Sequence, residues 1–375
     1  MTTFAELLEQ YDKEELLAQI MGKTAADVEN ALCAEQRDME DFKALISPAA
    51  VPYLENMAQL SHESTLRRFG NTIQMYAPIY MSNECSNGCV YCGFNSSNTN
   101  VVRKTLTLDE IEEEAKVLNQ YGYRHVLLLT GEDMDAFDND DMVYSIRRVR
   151  PLFSSICIEV YPMDVDGYKR MVDAGVDGLT IYQETYDKVL YKELHKYGRK
   201  RDFLWRLGTP ERGAEAGMRK VGIGALLGLG NFYTEAFFTA LHAHFLFKNY
   251  WRTQVAVSFP RIRPAAGGFQ PLFPVSDAQL VQAICAMRLL LPDAGLTIST
   301  RESAELRDHL LLLGITQMSA GSSTAPGGYA HHDASTGQFN INDDRTPAEI
   351  AQMRHSHGYE SVWKDWDPAF MEKGA

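Results

Sequence analysis

The sequence predicts an α/β fold: a (β/α)8 TIM-type barrel with an N-terminal helical extension and a C-terminal cap. Three observations support this prediction. Eight short apolar segments have the character of strands, helical segments alternate with them, and helices repeatedly end at a glycine shortly before the next strand. Such alternation is typical of a parallel sheet covered by helices. Eight strands within about 250 residues match a closed barrel, and a doubly wound open sheet is the alternative.

The elements divide the 375 residues into three parts. Residues 1–70 are expected to form a helical extension, because Leu7, Tyr11 and other apolar residues recur at helix-turn spacing. Residues 71–325 are expected to form the barrel, and residues 326–375 a C-terminal cap segment. The eight predicted strands are Thr72–Tyr80, His125–Leu129, Ile156–Val160, Gly178–Tyr182, Val221–Ala225, Gln254–Phe259, Leu296–Ser299 and Gln317–Ala320.

Local signals also mark the ends of the predicted helices. Thr107 with Glu110, and Ser276 with Gln279, have the spacing of capping boxes at helix starts. The glycines that follow helical segments suit the left-handed conformation common just past a helix; they are Gly122, Gly175, Gly217 and Gly314.

Composition excludes several classes of protein. Apolar residues make up 45% and charged residues 23% of the chain, which is ordinary for a globular protein and excludes extensive disorder. The net charge of −14 argues against a nucleic-acid-binding protein, since a phosphate-binding surface needs basic residues. No apolar run approaches the roughly 20 residues of a membrane span, and the polar N-terminal sequence does not resemble a signal peptide. We therefore expect a cytoplasmic protein that does not interact with membranes.

Three cysteines lie together directly after the first predicted strand, with C-x3-C-x2-C spacing: Cys85, Cys89 and Cys92. Three thiolates this close in sequence can bind three irons of a [4Fe–4S] cluster and leave the fourth iron open. A zinc site would usually include a second cysteine pair, and none follows. Cys157 and Cys285 fall inside a predicted strand and helix, as buried structural thiols do.

Charged residues follow several of the predicted strands, where the active sites of barrel enzymes lie. Glu132 follows the second strand, Glu159 lies near the end of the third, Glu184 follows the fourth and Arg301 follows the seventh. Together they predict a polar ligand at this end of the barrel. Solvated loop charges are the alternative for each residue taken singly.

The cysteine motif, with Tyr91 before its last cysteine and its place on the first βα loop, resembles that of the radical S-adenosylmethionine (SAM) superfamily. The resemblance implies a [4Fe–4S] cluster on Cys85, Cys89 and Cys92 whose open iron binds the amino and carboxylate groups of SAM. One electron from the cluster then cleaves SAM and gives a 5′-deoxyadenosyl radical. Such a cofactor carries the difficult chemistry, while the protein tunes and positions it.

Further segments resemble the tyrosine lyases of thiamine biosynthesis, the 2-iminoacetate synthases. They include Phe69–Thr72, Arg103–Leu106, Tyr182–Tyr186, Ser258–Arg261, Ser299–Glu302, Pro326–Tyr329 and Trp363–Asp367. The resemblance implies cleavage of the Cα–Cβ bond of L-tyrosine to 2-iminoacetate (dehydroglycine) and p-cresol, which supplies the thiazole moiety of thiamine. It also implies thiazole synthase and a flavodoxin-type electron donor as partners. Trp363 and Trp366 either contact thiazole synthase or cap the barrel, and capping is favoured.

The resemblance also assigns residues to SAM. The Tyr91 backbone is expected to meet the adenine. Glu132, in Thr130-Gly131-Glu132, matches a motif that holds the SAM amino group, although its first glycine is replaced here. Glu159 and Glu184 are expected to contact SAM. Arg206 is expected to pair with the SAM carboxylate, with a surface arginine on a helix as the alternative.

Arg301 is the candidate for the carboxylate of the amino acid substrate, because guanidinium binds carboxylate as a bidentate fork. Ser319 on the eighth strand is expected to assist, and Tyr80 at the end of the first strand to contact the substrate amine. A loop salt bridge, a core hydroxyl and ordinary core packing are the respective alternatives.

Three other functions remain as alternatives. The tyrosine lyase of hydrogenase maturation carries a second cluster on a cysteine-rich C-terminal extension, but no cysteine follows Cys285 here. A radical SAM lyase with a similar barrel acts on tryptophan. An iron–sulfur or zinc scaffold protein without enzymatic activity would form no 5′-deoxyadenosine.

Overall fold

The computed structural model describes residues 2–331 and 335–364, and it confirms the predicted barrel. Each barrel strand pairs in parallel with the next, and β1 pairs with both β2 and β8, which closes the ring. The structure places all eight barrel strands within one or two residues of their predicted bounds. They are β1 (Thr72–Ser82), β2 (His125–Thr130), β3 (Ser155–Glu159), β4 (Gly178–Thr180), β5 (Lys220–Gly224), β6 (Gln254–Ser258), β7 (Gly295–Ile298) and β8 (Gln317–Ser319).

Five helices precede the barrel: α1 (Phe4–Leu8), α2 (Lys13–Met21), α3 (Ala25–Cys33), α4 (Met39–Ile46) and α5 (Leu54–Phe69). The helices that follow are α6 (Leu108–Gln120), α7 (Asn139–Val149), α8 (Val165–Ala174), α9 (Lys188–Leu194), α10 (Phe203–Leu207), α11 (Thr209–Glu215), α12 (Phe232–Asn249), α13 (Asp277–Leu290), α14 (Ala304–Leu310) and α15 (Pro347–Ser356). Short 3-10 turns cover Pro48–Tyr53, Arg150–Leu152 and Arg199–Arg201. The capping boxes at Thr107 and Ser276 form as predicted.

The N-terminal helices extend the hydrophobic core beyond the ring of strands. α4 and α5 pack on α13, whose residues from Gln282 to Leu290 are all buried because it is covered by the barrel on one side and by these helices on the other. The apolar character of α12 has the same cause, since α2 and α4 cover its outer face. No helix among the described residues has the length and apolar character needed to cross a membrane.

A ninth strand, β9 (Glu360–Val362), was not predicted. It pairs in parallel with Thr72–Gln74 of β1, whereas β2 pairs with β1 only from Ala77 onward. β9 therefore lies beside the amino end of β1 where β2 does not reach. Trp363 continues this edge: its carbonyl accepts a hydrogen bond from the Arg124 amide at 3.0 Å, and its ring packs edge-on against Tyr123 at 5.2 Å.

The expected C-terminal cap thus reaches both ends of the barrel. Residues 335–342, named the mouth segment here, cross the carboxyl ends of the strands. The amide of Gly93 donates to the Gln338 carbonyl at 3.1 Å, and the amide of Asn340 donates to the Pro264 carbonyl at 2.8 Å. Trp363 lies at the opposite, amino end, as the capping interpretation expects. Trp366 and residues 365–375 lie outside the described residues.

Candidate active site

A chamber lies at the carboxyl end of the barrel, under the mouth segment. Two adjoining cavities form it, and they share the side chains of Glu159, Tyr182, Arg301, Gln338 and Phe339. The deeper cavity extends down the barrel axis between Tyr76, Tyr80, Leu127, Leu129, Ser258, Thr297 and Ser319. The outer cavity reaches Tyr91, Cys92, Glu184, Lys200, Leu226 and Arg263. The chamber therefore joins the cysteine loop to residues from most of the barrel strands.

The three motif cysteines are free thiols on the loop after β1. Cys89 is buried and the other two are half-buried. The loop is fixed by its backbone: the amide of Cys92 donates to the Cys89 carbonyl at 3.2 Å, and the amide of Val90 donates to the Leu194 carbonyl at 3.1 Å. Burial raises the pKa of all three thiols, that of Cys92 to about 11. Buried thiols of this kind gain from a cationic centre that stabilises their thiolate form.

This donor set fits a cluster rather than a single ion. Among residues 2–331 and 335–364, no three His, Cys, Asp or Glu side chains converge closely enough to bind one metal ion. Each cysteine ligand of a [4Fe–4S] cluster binds a different iron, so the three sulfurs need not converge. Cys92 packs both with the hydrophobic group around Tyr80, which Cys85 also contacts, and with the group around Cys89, so it links the three cysteines.

A network of buried and half-buried charges forms the wall beside the cysteines. The guanidinium of Arg206 donates to Glu132 Oε1 at 2.8 Å, to Glu184 Oε1 at 3.4 Å and to the Tyr182 carbonyl at 2.7 Å. Lys200 Nζ donates to Glu184 Oε1 at 2.7 Å. Asn87, inside the cysteine motif, donates to Glu132 Oε2 at 3.0 Å. The network links the ends of β2 and β4 to the cysteine loop.

The network shows that the alternative interpretation of Arg206, a surface arginine on a helix, is wrong. The side chain is only 6% exposed and is not a surface arginine. Arg206 and Glu132 stand behind the chamber, whereas Glu184 lines it. The end of β2 lies directly against the cysteine loop at Gly131. An added Cβ at this position would lie 2.0 Å from the Glu84 carbonyl oxygen, so the close approach requires glycine.

Glu184 occupies a strained position. Its φ of +71° is the one positive value at a non-glycine residue in the described part of the chain. The backbone on each side is held by hydrogen bonds, from the Leu226 amide to Glu184 and from the Gln183 amide to Gly224. Although burial alone would raise it, Lys200 and Arg206 bring the pKa of the Glu184 carboxyl below its ordinary value. Strain of this kind costs about 1–3 kcal/mol and is concentrated at functional sites.

Glu159 presents a carboxylate to the chamber without a hydrogen-bond partner among the described residues. It is the last residue of β3 and lines both cavities. Enclosure by the chamber walls raises its pKa to about 7; Glu184 adds to this effect and Arg301 opposes it. An acid held so close to neutrality is well suited to receive a cationic group from a ligand.

The predicted substrate residues face the same chamber. The guanidinium carbon of Arg301 lies 3.4 Å from the centroid of the Phe339 ring, which fixes the plane of the fork. Tyr80 donates its hydroxyl hydrogen to Gln338 Oε1 at 2.8 Å. Ser319 is buried, and its Oγ accepts a hydrogen bond from the Thr300 amide at 3.2 Å. The structure therefore brings Arg301, Tyr80 and Ser319 together with Glu159.

Tyr91 anchors the cysteine loop through a buried histidine. Burial lowers the pKa of His195 to about 3, so the ring is neutral. Its Nδ1 donates to the Tyr191 carbonyl at 2.7 Å, which leaves Nε2 to accept from the Tyr91 hydroxyl at 2.7 Å. The Tyr91 hydroxyl is thus engaged behind the loop, and Tyr91 lines the outer cavity.

Several polar or aromatic residues of the chamber and its wall were not identified from the sequence, among them Asn87, Lys200, Gln338 and Phe339. Lys200 belongs to the run Gly198–Asp202, which has the composition of a solvated charged loop. Gln338 and Phe339 follow the last barrel strand and reach the chamber only because the mouth segment folds back across it. Of these four residues, only Asn87 could have been recognised from the sequence, because it lies inside the cysteine motif.

Two family descriptions match the chain. The description "Radical SAM superfamily" matches residues 79–237, and "Biotin and Thiamin Synthesis associated domain" matches residues 258–360. The first range contains the cysteine loop and the charged wall. The second contains Arg301, Ser319 and the mouth segment.

Curated relatives match nearly the whole chain. The chain is 43% identical to the 2-iminoacetate synthase of Salmonella typhimurium and 44% identical to that of Escherichia coli K12, in each case over 98% of this chain and 97% of the relative. Among solved structures, HydG, a maturase of the [FeFe]-hydrogenase, superposes with a TM-score of 0.88 at 28% identity, covering 96% of this chain and 83% of that one. Because this identity extends over nearly the full length of the chain, the chain belongs to the 2-iminoacetate synthase family of the radical SAM superfamily.

Proposed function

We propose that this protein cleaves the Cα–Cβ bond of L-tyrosine to give 2-iminoacetate and p-cresol, and that the iminoacetate supplies the thiazole moiety of thiamine. The observation that carries the proposal is the identity of 43–44% with curated 2-iminoacetate synthases across 98% of the chain. The chamber supports it, since Cys92 of the cysteine motif and the guanidinium of Arg301, which suits an amino acid carboxylate, line the same cavity.

Cys85, Cys89 and Cys92 would hold the [4Fe–4S] cluster, which together with SAM supplies a carbon-centred radical able to abstract hydrogen. The chain's own residues bind and orient the reactants. The motif match assigns the SAM ammonium group to Glu132, but both carboxylate oxygens of Glu132 are engaged by Arg206 and Asn87. We therefore assign the ammonium group to Glu159, and its binding would lower the pKa of the Glu159 carboxyl toward the ordinary value. The charged wall of Glu132, Arg206, Glu184 and Lys200 holds the strand ends in register around the cysteine loop, with Glu184 exposed to the ligand.

Substrate orientation follows from the position of Arg301. Its guanidinium donates two parallel hydrogen bonds to the tyrosine carboxylate, and stacking on Phe339 keeps the guanidinium rigid. Ser319 and Tyr80 then stand near the amine, from which hydrogen is abstracted. The phenol side chain extends down the barrel axis toward Tyr76 and Thr297. The mouth segment keeps water and competing hydrogen donors away from the radical.

The proposed reaction requires two partners. A flavodoxin-type protein supplies one electron to the cluster, and thiazole synthase receives the iminoacetate, which is unstable in water. We place all three proteins in the cytoplasm. Trp363 lies at the end of the barrel opposite the chamber, so it supports the barrel rather than the transfer of product.

The test is anaerobic reconstitution with iron and sulfide, followed by addition of reductant, SAM and either tyrosine or tryptophan. The proposal expects p-cresol from tyrosine and no cleavage of tryptophan. Cys89→Ala should form no p-cresol, whereas the matched variant Cys33→Ala, which removes an exposed thiol outside the motif, should remain fully active. Cleavage of tryptophan alone would favour the tryptophan lyase, and the absence of 5′-deoxyadenosine with either amino acid would favour a scaffold protein.

A further inference from the structure

The cysteine loop is covered on its outer side by residues 192–201, named the basic arm here. The two segments run antiparallel: the Gly88 amide donates to the Tyr197 carbonyl at 3.1 Å, and the Lys196 amide donates to the Gly88 carbonyl at 3.0 Å. Cys89 and His195 form an antiparallel bridge. A protein that approaches the cysteine loop from this side therefore meets the basic arm first.

The basic arm carries positive charge on a protein whose net charge is −14. Lys192, Lys196, Arg199 and Arg201 are all exposed, and none forms an ion pair with another described residue. Arg201 donates to the backbone carbonyl of Lys196, which leaves its charge uncompensated. Glu193 is the one acidic residue within the arm.

Acidic residues adjoin the arm on one side. Arg199 lines a cleft together with Asp133, Asp135 and Asp202, so its charge is partly offset. Lys192, Lys196 and Arg201 do not line this cleft. A positive patch on an acidic protein concentrates acidic partners at that place and repels them elsewhere.

An exposed aromatic ring connects the arm to the buried thiol. Tyr197 is 45% exposed, and its ring packs against the backbone of Gly88, where an added Cβ would lie 2.6 Å from the ring. The Tyr197 hydroxyl also accepts a hydrogen bond from Ser96 Oγ at 3.0 Å. Cys89, the next residue after Gly88, is only 4% exposed. The exposed ring of Tyr197 thus touches the backbone directly beside the buried thiol of Cys89.

We propose that the basic arm is the docking surface for the protein electron donor, a small acidic carrier of a low-potential one-electron cofactor. This rests on the proposed function, because it presumes a cluster on the three cysteines. The carrier loses one electron and the cluster gains it, without transfer of atoms. Charge attraction by Lys192, Lys196 and Arg201 orients the carrier, and Tyr197 with Gly88 provides the short path to Cys89.

The test compares two charge-reversed double variants with a matched control. Lys196→Glu/Arg201→Glu and Lys192→Glu/Lys196→Glu alter the arm. Arg67→Glu/Lys248→Glu produces the same change of net charge on α5 and α12, at exposed residues without ion pairs among the described residues. The probe is a purified flavodoxin: its affinity is measured calorimetrically in the oxidised form, and its support of p-cresol formation in the reduced form. Dithionite replaces flavodoxin in a parallel assay.

At low ionic strength, both arm variants should bind flavodoxin about ten-fold more weakly and lose about ten-fold in kcat/KM for flavodoxin. The control variant should keep both values, and dithionite-driven p-cresol formation should be unchanged in all three. Added salt should weaken binding to the unaltered protein and abolish the difference between variants. Unchanged flavodoxin binding in the arm variants, or an equal loss in the control, would overturn the docking proposal. Absence of dithionite-driven p-cresol in the unaltered protein would instead overturn the proposed function.

Discussion

Replacement of Glu159 by glutamine should stabilise the ligand-free protein at high pH. The chamber raises the pKa of this carboxyl from an ordinary value of 4.5 to about 7, through burial and then Glu184, against Arg301, Lys200 and Arg206. The folded state therefore holds the proton more tightly than the unfolded state, and the free energy of unfolding falls as pH rises from about 4.5 to about 7. Because a tenfold change in proton affinity is worth about 1.4 kcal/mol, the full loss is about 3 kcal/mol.

Glutamine cannot ionise, so Glu159→Gln should remove this loss. The measurement is anaerobic urea unfolding of the ligand-free protein at about pH 5 and about pH 8. Relative to the unaltered protein, the variant should gain about 2–3 kcal/mol between the two pH values. SAM binding, measured by calorimetry, should weaken because the partner of its ammonium group is lost. An unchanged stability difference across this pH range would refute the argument.

Glu235 provides a matched control for this experiment. Its carboxyl is buried, and its pKa is also raised to about 7, mainly by burial. It accepts hydrogen bonds from Thr185 and the Tyr186 amide, away from the chamber. Glu235→Gln should therefore reproduce the pH-dependent gain in stability and leave SAM binding intact. Equal weakening of SAM binding by both variants would remove Glu159 from the SAM site.

Other variants test the remaining parts of the site. Arg301→Lys should raise the KM for tyrosine about 10- to 100-fold in p-cresol assays, because an ammonium group cannot form the bidentate fork. Gly93→Ala should separate the mouth segment from the cysteine loop, since the new Cβ would lie 2.6 Å from the Gln338 carbonyl oxygen. Water should then enter the chamber, and the measured ratio of 5′-deoxyadenosine to p-cresol should rise. Glu184→Gln should lower the free energy of urea unfolding by about 3–5 kcal/mol, because buried Arg206 and half-buried Lys200 lose its negative charge. Glu184→Gln/Lys200→Met should recover part of this loss.

The same measurements supply the contradicting outcomes. An Arg301→Lys enzyme with an unchanged KM would exclude this arginine from carboxylate binding. A constant product ratio in Gly93→Ala would mean that the mouth segment does not exclude water. If the Glu184 and double variants were equally unstable, the ion pair with Lys200 would not be the source of the loss.

The barrel itself was predictable from the sequence because its strands are buried on both faces. Such strands are short apolar runs, and glycines after the helices mark where they begin. β9 escaped prediction since Glu360, Ser361 and Val362 form no apolar run and are not buried. They pair with the amino end of β1 because β2 does not reach it. That opening is a property of the closed barrel and not of the local sequence.

Apart from the cysteine loop, which its motif marks, the site was predictable mainly where its residues stand at strand ends. Glu159 and Arg301 follow from barrel topology, but the burial of Arg206 does not. In α10, Leu204 is 52% and Trp205 39% exposed while Arg206 is 6% exposed, the reverse of what hydropathy predicts. The cause is the pair of carboxylates, Glu132 and Glu184, that neutralise the guanidinium from other parts of the chain.

The position of β1 has a consequence for how this protein is made. Met75 in β1 pairs beside Met318, and Thr72 pairs beside Glu360, so the first strand finds these partners only in the last strands. During translation the three thiols leave the ribosome long before β8 and β9 exist. The ring cannot close until almost the whole chain has emerged, and such distant pairings form slowly. The three thiols therefore stand on an open, unclosed chain for most of the time that the protein is being synthesised.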